Sequence, residues 1–239
     1  SDHNICFAAA DYSMATLQSQ QRSLTEDSCK ELGVLVATST YYRVSLLFAL
    51  TISTFSAAAM IHFMIRYYGS SLLFHRNLKM LYFLLSLFCL TFDVFNIIVK
   101  VHHLTVSFLF VSPCEIIMPK AFFIATSLPI FYSVGAVQFA QMFMIAERWI
   151  AIIFVRDYES GYKKLGPALI AATVIINGCS MYIMYYGETF DAPQWNARLM
   201  PSTTYPRSSV VLLTLLILNF ISLLVTIALY VFSRKRRKT

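Results

Sequence analysis

The sequence predicts an all-α polytopic membrane bundle, and three observations carry that prediction. Of the 239 residues, 58% are hydrophobic and only 13% are charged, whereas a soluble domain carries about 25% charged residues. Mean hydropathy is +0.64. Five apolar stretches are each long enough to cross ~30 Å of hydrocarbon as a helix, which takes about 20 residues. The first of them, Val44 to Ile65, is apolar on all sides, whereas barrel strands are about 10 residues of alternating polarity. The composition disfavours a soluble enzyme, a disordered regulator and a disulfide-stapled secreted module. Seven glycines and seven prolines are too few for a collagen-like or linker-like chain.

Residues 1–41 read as an outer segment, partly disordered, since Leu17 to Lys30 is rich in Gln, Ser, Thr and acids. The bundle then occupies residues 42–233. The first span is 44–65, flanked by Tyr41 and Tyr42 before it and Tyr67 and Tyr68 after it. Such rings favour the headgroup level. The second span is 78–99, interrupted by Asp93. The third is 121–146, where Pro129 predicts a kink. The fourth is 165–186 and the fifth 210–232. Residues 234–239 read as a basic cytoplasmic end. The run Arg234-Lys235-Arg236-Arg237-Lys238 directly follows an apolar segment, so it suits stop-transfer and contact with anionic lipid.

Basic residues favour the cytoplasmic side, and with five spans this places the N-terminus outside. The terminal run carries that orientation, because without it the two sides are equally basic. The net charge of +7 therefore reads as inner loops rather than as a nucleic-acid surface. The chain opens on Ser1 rather than Met and reads as a fragment.

Asp93 is the only carboxylate deep inside a span. It lies 14 residues above Lys79, about 21 Å at 1.5 Å per residue, in the outer half of the bilayer. A carboxylate at that depth faces a bundle interior or water. It is a candidate for contact with a ligand, an ion or Asn96, one turn on. A snorkelling contact with Lys100, seven residues away, is the competing reading. Tyr132 closes an aromatic stretch that starts at Phe122, a suitable wall for a small apolar ligand. Gln138, Gln141, Asn177 and Asn219 offer hydrogen bonds between helices. His102 and His103 read as solvated histidines of the outer loop. At the inner end of the third span stands Glu147-Arg148-Trp149, which by itself fits an ordinary interfacial ion pair with a snorkelling arginine. No Walker A, HExxH or GxSxG pattern occurs, and the five cysteines form no CxxC or Cys/His zinc spacing. An enzyme is disfavoured, and neither a cofactor nor a metal is expected.

Four motifs stand in order at the span edges. Leu73-Phe74-His75-Arg76-Asn77-Leu78-Lys79 opens the second span. Pro113-Cys114-Glu115 precedes the third. Glu147-Arg148-Trp149-Ile150-Ala151 closes it, and Asp157-Tyr158-Glu159 follows. Together they resemble the nematode serpentine chemoreceptors of the Sra superfamily, nearest the Srab class, with the Sra, Srb and Sre classes close by. The resemblance implies a bundle of the seven-helix receptor type, coupled to a heterotrimeric G protein and responding to an environmental small molecule. It implies a multi-pass protein of the plasma membrane, in a sensory cilium, with the N-terminus outside. With five spans, helices six and seven would be missing. A non-signalling fragment and a small transporter are the alternatives.

The resemblance also assigns roles. Glu147, Arg148 and Trp149 become the activation switch and G-protein contact. Asp93, Asn96, Tyr132 and Gln138 become the ligand-contact candidates. Phe74, His75, Asn77 and Lys79 become a motif that packs the first inner loop against the second helix. In many seven-helix receptors the cysteine atop the third helix is bridged to the second outer loop. Here that loop holds no cysteine, so the expected partner of Cys114 is Cys29, or else Cys6, with free thiols as the alternative.

Overall fold

The computed structural model describes residues 39–69, 76–109, 117–154, 164–190 and 204–236. Among them are five helices: α1 Thr40–Gly69, α2 Arg76–Leu109, α3 Lys120–Ile153, α4 Leu165–Tyr185 and α5 Tyr205–Arg236. Each is long and apolar enough to cross a membrane. Each contains most or all of one stretch identified above, because a helix satisfies its own backbone where no water can. Serines and threonines inside the helices are satisfied in the same way. Thr51, Ser86, Thr126 and Thr173 each donate to the carbonyl four residues back, at 2.8–2.9 Å.

Two helices run well past their apolar stretches. α2 and α3 have 34 residues each, about 51 Å at 1.5 Å per residue. The second span therefore continues as helix beyond residue 99. It carries His102 and His103, which the sequence places in a solvated loop. His103 is only 6% exposed, and His102 stacks on Phe122 with centroids 4.4 Å apart. The loop reading of this pair is thus corrected. It failed because the polarity of the pair ended the apolar run without ending the helix. α3 continues unbroken through Pro129 and past Trp149 to Ile153.

The helices alternate in direction. The start of α1 meets the end of α2: Arg43 donates through Nε to Ser107 Oγ (2.9 Å) and through Nη2 to the Ser107 carbonyl (2.7 Å). The starts of α2 and α4 meet at the other end of the bundle, where Gly166 abuts Asn77. α3 is central. It packs on α2, α4 and α5, while α1 leans mainly on α2. Val99, Met118, Phe123 and Ile130 form an apolar core between α2 and α3. After α4 the chain turns through Gly187, whose φ of +76° suits glycine. Phe190 then inserts its ring near Tyr185 and Phe123, at 5.6 and 6.1 Å between centroids. Large apolar side chains are exposed along α1, α2, α4 and α5, while central α3 exposes only Trp149 and Ile153 near its end, as a lipid-facing surface around a buried helix requires.

Candidate functional site

Glu147, Arg148 and Trp149 sit on helix, so successive side chains point about 100° apart. Glu147 turns inward and is 0% exposed. Trp149 turns outward and is exposed. Arg148 lies between, its Nε 3.8 Å from Glu147 Oε2. It lines a cavity of about 440 Å³ shared by α2, α3 and α5. Tyr82 borders this cavity from α2, Gln141 and Met144 from α3, and Asn219 and Thr226 from α5. A buried carboxylate is costly unless a cation or donors compensate it. The pair therefore places an arginine, beside a buried carboxylate, on the wall of a crevice between three helices. A helix shift that separates the pair would change how far the guanidinium reaches into that crevice.

A second polar assembly climbs α2. Asp93, Asn96, Lys100, His103 and Ser107 are all buried, at spacings of three and four that align them on one face. Ser56 of α1 donates to Asp93 Oδ2 at 2.6 Å. Asn96 donates to the Phe92 carbonyl at 2.8 Å and accepts from Lys100 Nζ at 3.4 Å. Arg43 closes the series on Ser107 and lays its guanidinium over the Phe108 ring, 4.4 Å from the centroid. Asp93 thus meets α1, and Lys100 meets Asn96. His102 Nδ1 and His103 Nε2 are buried with no hydrogen-bond partner among the described residues.

The four ligand-contact candidates do not share one site. Asp93 and Asn96 lie on this stripe. Tyr132 faces α4 instead, donating to the Val174 carbonyl at 3.5 Å. It lines a separate cavity of about 440 Å³ with Phe88, Pro129 and Met181. Gln138 is half-buried, its Oε1 without a hydrogen-bond partner among the described residues. Asn177 forms the interhelical bond expected of it, donating to the Tyr132 carbonyl at 2.9 Å. Of the loop motif, Asn77 is buried against Gly166 and Lys79 is half-buried. Phe74, His75, Cys29 and Cys114 lie outside the described residues. Cys89 and Cys179 are free thiols within α2 and α4.

The sequence reading missed Arg43, Ser56, Ser107, Gly135 and Gly166. The polar stripe was visible in principle as 3-4-3-4 spacing from Asp93 to Ser107. The glycines had no signal, since only the packed structure shows what stands opposite them.

Comparison with known proteins decides the family. Residues 38–239 match the model of the serpentine type 7TM GPCR chemoreceptor Srb. The chain belongs to the Srb family. Srb is one of the classes to which its motifs point. Serpentine receptor class beta-17 of Caenorhabditis elegans is 30% identical over 184 residues, covering 77% of this chain and 50% of that protein. Class beta-13 of the same organism is 29% identical over 210 residues, covering 87% and 60%. Class beta-3 is 25% identical over 213 residues, covering 89% and 62%. The chain thus spans between half and two thirds of the length of these Srb relatives. No solved structure matches it.

Proposed function

We propose that this Srb chain serves in a chemosensory receptor. In this reading it takes a small environmental molecule between the outer halves of its helices and signals inward to a heterotrimeric G protein. It works as a receptor and not as an enzyme, in the plasma membrane of a sensory cilium. Residues 1–41 and the N-terminus lie outside, and the basic run after residue 233 lies inside. The Cys29–Cys114 bridge belongs to the same reading, as does a motif from Phe74 to Lys79 that seats the first inner loop.

One observation carries the signalling assignment: Glu147 is wholly buried while its neighbour Arg148 lines a crevice between α2, α3 and α5. An ordinary interfacial pair would leave both groups in the headgroup region. Here the acid is held in the helix bundle and the base faces a space that a partner's helix can enter. The outer ligand assignment rests on two features, the Tyr132 cavity and the buried polar stripe from Asp93 to Ser107.

The test is guanine-nucleotide exchange on a G protein in membranes that carry the receptor expressed from its full transcript. Glu147→Gln releases Arg148 and raises basal exchange. Arg148→Ala lowers exchange to that of membranes without receptor. Normal exchange in both variants overturns the switch.

A further inference from the structure

The starts of α2 and α4 frame a groove of about 850 Å³ that plays no part in the switch. Its mouth carries Arg76 and Lys79, and its wall carries Met80, Phe83, Leu84 and Leu87 of α2 with Ile170 of α4. Residues 76 to 87 extend about 16 Å along the helix, so the cations sit at one end and an apolar strip rises from them. Among the described residues no acid lines the groove. Phe83 and Leu87 are about 40% exposed on its open side, where the bilayer lies.

The mouth is reinforced by the helix ends. A Cβ on Gly166 would fall 2.9 Å from the Asn77 Cα, so the two helices begin in backbone contact. Neither has an acid in its first turn. Lys164, at the N-cap of α4, makes no side-chain capping bond. Two positive dipole ends therefore converge beside Arg76, Lys79 and Lys164.

We propose that this groove binds an anionic phospholipid, with the headgroup phosphate at Arg76 and Lys79 and an acyl chain along Met80 to Leu87. A phosphate complements the positive charge of the mouth, and the tail covers the apolar wall that a soluble anion would leave bare. The site depends on the chain spanning a bilayer and not on its signalling role.

The chain is reconstituted in phosphatidylcholine vesicles containing a photo-crosslinkable phosphatidylserine. The adduct falls on the peptides holding Met80–Leu87 and Ile170. The double variant R76Q/K79Q weakens labelling roughly 30-fold, from the loss of two basic contacts. Ile170→Trp fills the wall, keeps both cations and also loses the adduct. Arg66→Gln removes a cation at the same membrane face but off the groove, and leaves labelling intact. Three results overturn the proposal: equal labelling by a phosphatidylcholine probe, equal loss in Arg66→Gln, or displacement of the probe by inorganic phosphate. Vesicles insert the chain in both directions, so the result reads the groove whatever the orientation in the cell.

Discussion

Arg43 shows how a single side chain fixes two helices. The last four carbonyls of a helix have no partner within it, and Arg43 supplies one for Ser107 near the end of α2. Its charge also complements the negative end of the α2 dipole. Arg43→Gln should therefore cost about 1–2 kcal/mol, seen as a lower melting temperature in detergent. Ser107→Ala loses only the Oγ contact and should cost less, and equal stability of Arg43→Gln and the native chain would remove the cap from the account. Asn177 sets a second residue-scale constraint. Its Oδ1 occupies the space where a Cβ on Gly135 would sit, while its amide holds the Tyr132 carbonyl. Gly135→Ala must displace Asn177 and break that bond, a loss of about 0.6 kcal/mol for an average interhelical bond and up to about 1.7. Added to Asn177→Ala, Gly135→Ala should cost little more, because the obstructing amide is already gone. A double-mutant cycle on melting temperature reads this coupling directly, and strict additivity would contradict it.

At the scale of the element, the two helix starts joined at Gly166 and Asn77 explain why the motif before the second span contains an asparagine. Asn77 is buried because α4 begins against it, and a Cβ on Gly166 would meet backbone that cannot swing aside. Gly166→Ala should destabilise by about 1–3 kcal/mol, the cost of overpacking. Gly178, on the same helix, has nothing within 4 Å of a built Cβ, so Gly178→Ala should be neutral or gain up to about 1 kcal/mol from helix propensity. Similar shifts for the two would show that the close approach is not real. These elements also mark how far the sequence could be read. The five helices were legible because membrane crossing demands long apolar runs, and that demand leaves its mark residue by residue. The ends of α2 and α3 were not, because a helix that leaves hydrocarbon may turn polar and continue, as α2 does through His102 and His103. Asp93 was recognisable as a buried acid, but its partner Ser56 was not, since one serine among many on α1 carries no sign of what it faces.

For the whole molecule, orientation is the property on which the functional reading turns. Counted by sequence, the outer side holds as many cations as the inner side once the terminal run is set aside, which weakens a rule based on free basic residues. Several cations at the face where α1 begins have partners within the bundle. Arg43 binds the end of α2, Lys100 binds Asn96, and Arg207 donates to the Tyr186 carbonyl at 2.7 Å, just past the end of α4. Cations that bind helix C-termini or a neighbouring amide at one membrane face are part of the fold there. They say little about which side of the membrane attracts basic loops. Arg76, Lys79 and Lys164 stand at helix starts at the opposite face, as Arg43, Lys120 and Arg207 do at this one, so the helix dipole does not tell the two faces apart. Orientation has a direct readout in intact cells. An epitope placed before Ser1 should be stained without permeabilisation, and one placed after Thr239 only after it. The reverse pattern would put Arg148 and its crevice outside the cell, out of reach of any G protein, and the receptor reading would fail with it. The packing of α1 to α5 and the predictions for Gly135, Gly166 and Arg43 would stand, because they depend on how the helices meet and not on which way they face.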